Sequence, residues 1–326
     1  MRYKIIANPL AGRGFGARSV PQIQSLLTGH GLDFDLVITK WAGEAIDLAR
    51  QAVLDGYDTI VAAGGDGTVH EVVNGMMAAH GRAANSRTSS SRTANDNAAV
   101  VGNLGMLPTG SGCDFSSFAG VPADLEGACA KLAEGKTRVV DVGRFTVDNA
   151  EPCYFDNSVG IGFEGVVTVE VRRFHRLRGM ALYLPAVLRS VFVSMQKAHS
   201  VIEYEQDDRE NNPTWQRIEL DVLMASIYNG ARGGGAFMIA PQASLEDGKL
   251  DMCLVKNIPR IKMLYLIPFF MQGTHVRQKD VTMLRSRHVI ITSADNLIAH
   301  SDGELICTEA HRIECELLPQ RVRIIC

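Results

Sequence analysis

The stretch Gly64-Gly65-Asp66-Gly67-Thr68, with Glu71 close behind, follows directly on the apolar run Thr59–Ala63. Glycines here permit φ > 0 and let backbone N–H groups approach an anion, and a helix expected from about Thr68 aims its positive end at the same place. That is the chemistry of a phosphate cradle. Asp66 beside phosphate calls for a cation or a transferable proton, which marks it for Mg²⁺ or general-base work. The structural alternative is a tight strand-to-helix turn with an Asp N-cap. Two other glycine clusters carry less. Gly12-Arg13-Gly14-Phe15-Gly16 has the wrong spacing for a dinucleotide fingerprint, which disfavours a nicotinamide oxidoreductase. Gly135-Lys136-Thr137 follows a helix and precedes a strand, so a helix C-cap explains it better than a Walker loop.

The elements that must position the cradle alternate. Tyr3–Asn8, Phe34–Thr39 and Thr59–Ala63 read as strands, with helices near Ala17–Thr28 and Gly43–Leu54 between them, and this order implies a parallel sheet. In the second helix Ala45, Ile46, Ala49, Ala52 and Val53 share one face, which should lie on that sheet. Gly81–Ala99 is rich in Ser, Thr, Asn and Ala with three arginines, and is expected to be a disordered surface loop. From Arg138 onward alternating strands such as Ile218–Val222 and Val201–Gln206 point to an antiparallel second domain, interrupted by helices near Gly179–Lys197 and Ile258–Gln272.

Composition narrows the function. A chain of 326 residues with 46% apolar residues, 21% charged residues and net charge −3 has no basic excess to favour a nucleic-acid partner. The longest apolar stretch, Met263–Met271, is far short of the ~20 residues that span a bilayer and contains Pro268. The N-terminus lacks the pattern of a signal peptide, and seven cysteines without a CxxC pair suit a reducing compartment. A cytoplasmic location is expected.

Five motifs in order carry a resemblance. These are Asn8-Pro9-Leu10-Ala11-Gly12, the string Gly64–Gly75 (GGDGTVHEVVNG), Leu107–Phe115 (LPTGSGCDF), the set Asn229-Gly230, Gly233–Gly235, Pro241, Asp247-Gly248 and Leu250-Asp251, and Asp302-Gly303-Glu304. Together they resemble the diacylglycerol kinase catalytic-domain family, which includes bacterial lipid kinases and sphingosine kinases. The resemblance implies an α/β fold of two domains: a Rossmann-like nucleotide-binding domain over 1–137, like that of NAD kinases, and a mainly antiparallel β-sandwich with helical insertions over 138–326. It implies ATP- and Mg²⁺-dependent transfer of the γ-phosphoryl group to a lipid hydroxyl, with nucleotide between the two domains. An alcohol hardly ionises at neutral pH, so a carboxylate must take its proton while cations and N–H groups hold the transferring oxygens. By resemblance Asp302 and Glu304 take the base and metal-assisting roles, with Asp66 the competing base. Asn8, Pro9, Gly64, Gly65, Gly67, Thr68, Gly110 and Ser111 would bind nucleotide, with Glu71 an orienting partner. Arg13 could offset phosphate charge, as could Arg176, although the run around it also reads as a solvated face. Thr39 fits nucleotide binding or a helix N-cap equally, and Asp247 a structural cation or a hairpin turn.

Three positions depart from the family pattern: Cys113 replaces an Asn, Ser111 a Thr, and Ser117 an Arg. A thiol cannot reproduce an amide's donors and acceptor. The lipid would need an apolar groove, for which the helices at Met180–Met195 and Ile261–Met271 offer side chains that could equally build core. Peripheral, reversible membrane contact is expected, and a homodimer stays open. The alternatives are a kinase of a soluble substrate, as NAD kinase is, and a non-catalytic nucleotide- or lipid-binding regulator.

Overall fold

The computed structural model describes the chain apart from residues 87–99, 175–179, 207–213 and 236. The chain divides into two units, Met1–Val142 with Pro319–Cys326, and Gly143–Leu318.

The first unit runs β1 (Arg2–Ala7), α1 (Ala11–Gly29), β2 (Asp33–Ile38), α2 (Glu44–Leu54), β3 (Thr59–Gly64), α3 (Asp66–Ser86), β4 (Asn103–Pro108), α4 (Asp114–Phe118), α5 (Leu125–Glu134) and the start of β5 (Thr137–Val147). Strands β2, β1, β3 and β4 pair in that order, all parallel. Parallel sheets in α/β units are covered on both faces, so their strands are apolar throughout; every residue of β3 is buried. Helix α2 packs on α3, with Ala45, Ala49 and Ala52 buried as the helical periodicity requires. The crossing is close. A Cβ on Gly75 would lie 2.2 Å from the Ile46 carbonyl oxygen. Gly135 ends α5 in the left-handed conformation as its C-cap.

Two features differ from the sequence expectation. Gly81–Ser86 continue helix α3 instead of opening a disordered loop, because each residue added to a formed helix gains a hydrogen bond without a new nucleation cost. The rest of that loop, 87–99, lies outside the described residues, as does Arg176. The chain also returns at its far end: Arg323 and Ile324 pair in parallel with Asn103 and Leu104. Val322, Ile324 and Ile325 are buried there, so the last strand covers the open edge of β4 and belongs with the first unit, while the division falls inside β5.

The second unit contains the end of β5, β6 (Cys153–Phe155), β7 (Ser158–Gly162), α6 (Phe163–Val171), α7 (Met180–Arg189), β8 (Ala198–Gln206), β9 (Thr214–Tyr228), β10 (Arg232–Gly233), β11 (Phe237–Met238), β12 (Leu250–Lys256), α8 (Arg260–Gln272), β13 (Val281–Ser286), β14 (His288–Ser301) and most of β15 (Glu304–Ile325). Its pairings are antiparallel. Strand β9 pairs with β8 along its first half and β7 along its second, and β14 does the same. Alternation along β12 separates two cores. Leu250, Met252 and Leu254 join Phe155, Ile161 and Ile313 in one; Cys253 and Val255 join Phe163, Met263 and Phe270 in the other, which the helices cover.

Candidate active site

In the first unit three loops meet at the C-terminal ends of β1, β3 and β4. Asn8 N–H donates to Ala63 O, and Thr109 and Gly110 N–H both donate to Gly64 O at 2.9 and 3.1 Å. Asn8 Nδ2 donates to Thr68 Oγ1 at 3.1 Å, while Asn8 Oδ1 accepts from Leu10 N–H at 3.0 Å. Glycine is demanded by proximity. A Cβ on Gly65 would sit 2.7 Å from Gly112 O, one on Gly110 2.2 Å from the Gly65 Cα, and one on Gly64 2.1 Å from Thr68 Oγ1. None of Gly64, Gly65 and Gly67 takes the positive φ that the sequence allows them; at Gly64 and Gly65 the missing side chain is what the neighbours require. The left-handed residues stand one loop earlier, at Gly12, Arg13 and Gly14, with φ of +54°, +58° and +82°. For Arg13 that conformation costs about 1–2 kcal/mol, a strain of the kind that collects at binding loops. Gly12 also needs its missing side chain, since a Cβ would meet Thr109 O at 2.4 Å.

Asp66 opens helix α3 and reaches across to another helix. Its Oδ2 accepts from Asp114 N–H at 3.1 Å and its Oδ1 from Phe115 N–H at 3.2 Å, while its own N–H donates to Gly112 O. These are first-turn amides of α4, whose N-cap residue, Cys113, makes no side-chain capping bond. Asp66 thus supplies from a distant loop the acceptors that a side chain at position 113 would ordinarily give. Burial, and then the Asp66 charge, push the Cys113 thiol up to about 11, so it is a neutral packing group rather than a nucleophile. Glu71 does a similar job for α2, its two oxygens accepting from Gly43 N–H at 3.0 Å and Ala45 N–H at 3.3 Å. Thr39 is buried at the end of β2, its N–H on Ala7 O. Pro9 O accepts from Ala17 N–H, and Ser111 is exposed at the loop tip.

In the second unit Asp302 lies in the two-residue turn between β14 and β15, where Ser301 pairs with Glu304. Asp302 and Gly303 have φ of +49° and +85°, the signs that a type I′ hairpin requires of both central residues. Yet the acid is not solvated: Asp302 is 6% exposed. Its Oδ1 accepts from Ser158 N–H at 2.7 Å and Asn157 N–H at 3.1 Å, and its Oδ2 from Asp156 N–H at 3.2 Å. Asn229 Nδ2 donates to Asp156 O and Asn157 Nδ2 to Arg232 O, which ties the same loop to the Asn229-Gly230 motif. A carboxylate oxygen of Asp156, itself 1% exposed, lies within 4.8 Å of one of Asp302. Glu304 is exposed, with Arg172 Nη2 4.0 Å away, a surface contact of little energy.

Asp247 sits in a turn with Gly248 at φ +72°. Its Oδ1 accepts from Lys249 N–H at 3.1 Å and its Oδ2 pairs with Arg285 Nη2. Arg285 Nε also stands 3.3 Å from Asp251, whose carboxyl burial lifts above its ordinary value in spite of that guanidinium. A guanidinium therefore meets the charge that the sequence assigns to a structural cation. Sequence reasoning missed Asp156, Glu164 and His300; the only signal for the first was the polar Asp156-Asn157 pair between two short strands.

Two family models match the chain in succession. The diacylglycerol kinase catalytic domain matches residues 2–145, and the YegS C-terminal NAD kinase beta sandwich-like domain matches residues 157–326. The YtlR protein of Bacillus subtilis (strain 168) is 28% identical over 333 residues, 98% of each chain. A diacylglycerol kinase of the same organism is 26% identical over 304 residues, 93% of this chain and 89% of its own. A solved diacylglycerol kinase structure from Bacillus anthracis str. Sterne has the same fold, with a TM-score of 0.69 at 21% identity over 99% of this chain and 96% of the other. With one domain matched across the three glycine loops and the other across the Asp302 turn, the chain belongs to the diacylglycerol kinase catalytic-domain family of lipid kinases.

Proposed function

We propose that the chain is an ATP-dependent lipid kinase whose first unit holds the triphosphate and whose second unit supplies Asp302 as proton acceptor. The observation that carries this is the convergence of three glycine-bearing loops, packed too closely for a side chain at Gly12, Gly65 or Gly110, at the start of helix α3. Such a surface offers N–H groups and a helix N-terminus to phosphate oxygens. In the reaction, the acceptor oxygen forms a bond to the γ-phosphorus as the bond from that phosphorus to the β,γ-bridging oxygen breaks. The hydroxyl proton passes to Asp302, and ADP leaves with the bridging oxygen. Asp66, with both oxygens on α4 amides, acts as a strut that fixes the loops. Mg²⁺, when bound, offsets the charge that builds on the phosphate oxygens. The Asp156–Asp302 pair fits such a cation, since two buried carboxylates this close need positive charge or a proton between them.

The acceptor is a hydroxyl-bearing lipid presented at a membrane surface. No helix among the described residues is long and apolar enough to cross a membrane. Contact instead uses side chains left exposed on two helical stretches of the second unit: Leu184, Leu188, Phe192 and Val193 on and just after α7, and Ile261, Tyr265 and Met271 on α8. The test is an incubation of purified protein with γ-labelled ATP, Mg²⁺ and a panel of diacylglycerol, ceramide, sphingoid base, phosphatidylglycerol, polyprenol and NAD. Label is expected in a lipid product. Label confined to NAD would establish a soluble-substrate kinase, and no label in any acceptor would favour a non-catalytic binder.

A further inference from the structure

Behind the Asp302-Gly303 turn lies a buried set of polar side chains that the reaction as written does not use. Gly303 N–H donates to His300 Nδ1 at 3.3 Å. The other ring nitrogen, Nε2, faces Glu164 Oε2 at 3.5 Å, longer than a formed hydrogen bond, and that buried oxygen has no hydrogen-bond partner among the described residues; both side chains are largely buried. Glu164 Oε1 in turn accepts from the Tyr228 hydroxyl at 3.3 Å. A glycine makes room for the pair. Gly160 is the direct cross-strand partner of His300, and a Cβ on it would lie 2.1 Å from Glu164 Oε2 and 2.3 Å from His300 Nε2. Gly233 does the same for Tyr228, whose hydroxyl would stand 2.2 Å from a Cβ there.

These contacts fix one tautomer. An N–H pointing at Nδ1 requires a lone pair there, so the ring proton belongs on Nε2, towards Glu164. The turn gains from such support, because Asp302 at φ +49° is a non-glycine residue in the left-handed region, a conformation that persists where its surroundings over-determine it.

We propose that His300 and Glu164 are positioning residues: His300 Nδ1 holds the Gly303 amide and so fixes the turn that aims the Asp302 carboxylate, while Glu164 holds the imidazole in the tautomer that can accept this bond. The inference rests on Asp302 being the proton acceptor. A misplacement of about 1 Å at a reacting group can cost on the order of 100-fold in rate, so effects of that size or somewhat less are expected.

The test compares three variants of the full chain for kcat, KM for ATP and melting temperature. His300→Phe keeps a ring but no acceptor, and kcat is expected to fall roughly 10- to 100-fold with KM for ATP within about twofold. His300→Asn, whose side-chain oxygen can reach the Gly303 amide, should recover most of that loss. Glu164→Gln, which removes the charge facing Nε2, should fall between the two. Wild-type kcat in His300→Phe would overturn the inference, as would equal losses in Phe and Asn variants that track their melting temperatures. An activity-free reading uses ¹⁵N-labelled wild-type protein, with the His300 ring assigned by its absence from the His300→Asn spectrum. A pyridine-type Nδ1 is expected, and a proton on Nδ1 would overturn the inference by itself. A wild-type chain that labels no lipid would instead remove the kinase function on which the inference rests.

Discussion

Asp66 and Asp302 are the same device in two settings. Each is followed by glycine, and each carboxylate gathers backbone N–H groups from a segment distant in sequence, two for Asp66 and three for Asp302. The backbone around them differs. Asp66 begins a helix and aims at the first turn of another, α4, where its charge is stabilised by the helix end. Asp302 occupies a hairpin turn whose tip, Gly303, is exposed, with a second buried carboxylate beside it. The first arrangement sets one carboxylate on a helix end; the second sets two buried carboxylates side by side. The proposed roles rest on that difference: one carboxylate holds loops together, and the other stands where a cation would be held.

The sharpest way to break this contrast is Asp302→Asn, which keeps the shape and removes the proton acceptor. Turnover of the folded protein should fall by about 10²- to 10⁴-fold, measured with whichever lipid the panel identifies; the melting temperature should also drop, because the new NH2 group faces a buried backbone N–H from which Asp302 now accepts. Equal loss in Asp66→Asn alone, with Asp302→Asn active, would exchange the two roles. Next in size is Gly65→Ala. Its Cβ would meet backbone at 2.7 Å, which rigid loops relieve only by moving apart, so a loss of about 1–3 kcal/mol in denaturant unfolding is expected together with weakened nucleotide binding by calorimetry.

Asp66→Ala should cost about 0.5–2 kcal/mol as the loss of a helix cap, and the accompanying defect should appear in KM for ATP before kcat. A defect in kcat alone would argue that Asp66 meets the reacting atoms. The smallest effect concerns Glu170, a buried carboxylate held by cations instead of amides, with Arg189 Nε at 2.7 Å, Arg173 Nε at 3.0 Å and Ser194 Oγ at 2.9 Å. Burial opposes its charge, but the bonds from Ser194 and Arg189 and the charge of Arg173 outweigh it and hold its pKa below the ordinary carboxylate value. A lowered folded value means stability that is present above the unfolded titration point and lost as pH falls through the folded one. Melting temperature should therefore decline below about pH 4, with a shallower decline in Glu170→Gln; identical slopes would show that other groups dominate acid unfolding.

Local and periodic signals were readable in the amino-acid sequence, whereas placement was less so. The apolar runs at Tyr3–Asn8 and Thr59–Ala63 could only be buried parallel strands, and Ala45, Ala49 and Ala52 could only face inward, because period and burial are properties of neighbours in sequence. The motif strings likewise pointed to the family. Nothing local says that Asp66 caps a helix beginning at Asp114, or that Asp302 is buried by the amides of residues 156–158, since those contacts join segments far apart. The sequence allows glycines 64, 65 and 67 both positive φ and close approach; none takes positive φ, and at Gly64 and Gly65 it is the missing side chain that the packing needs. The far end of β15 lies in the span 138–326 assigned from sequence to the second domain, yet it pairs with the edge of β4.

That last strand has a consequence for how the protein is made. Val322, Ile324 and Ile325 are buried at an edge of the first unit's sheet, where Arg323 and Ile324 pair with β4, so that sheet is closed by a stretch made only after residues 143–318 have emerged. Until then the edge of β4 stays open to any passing strand.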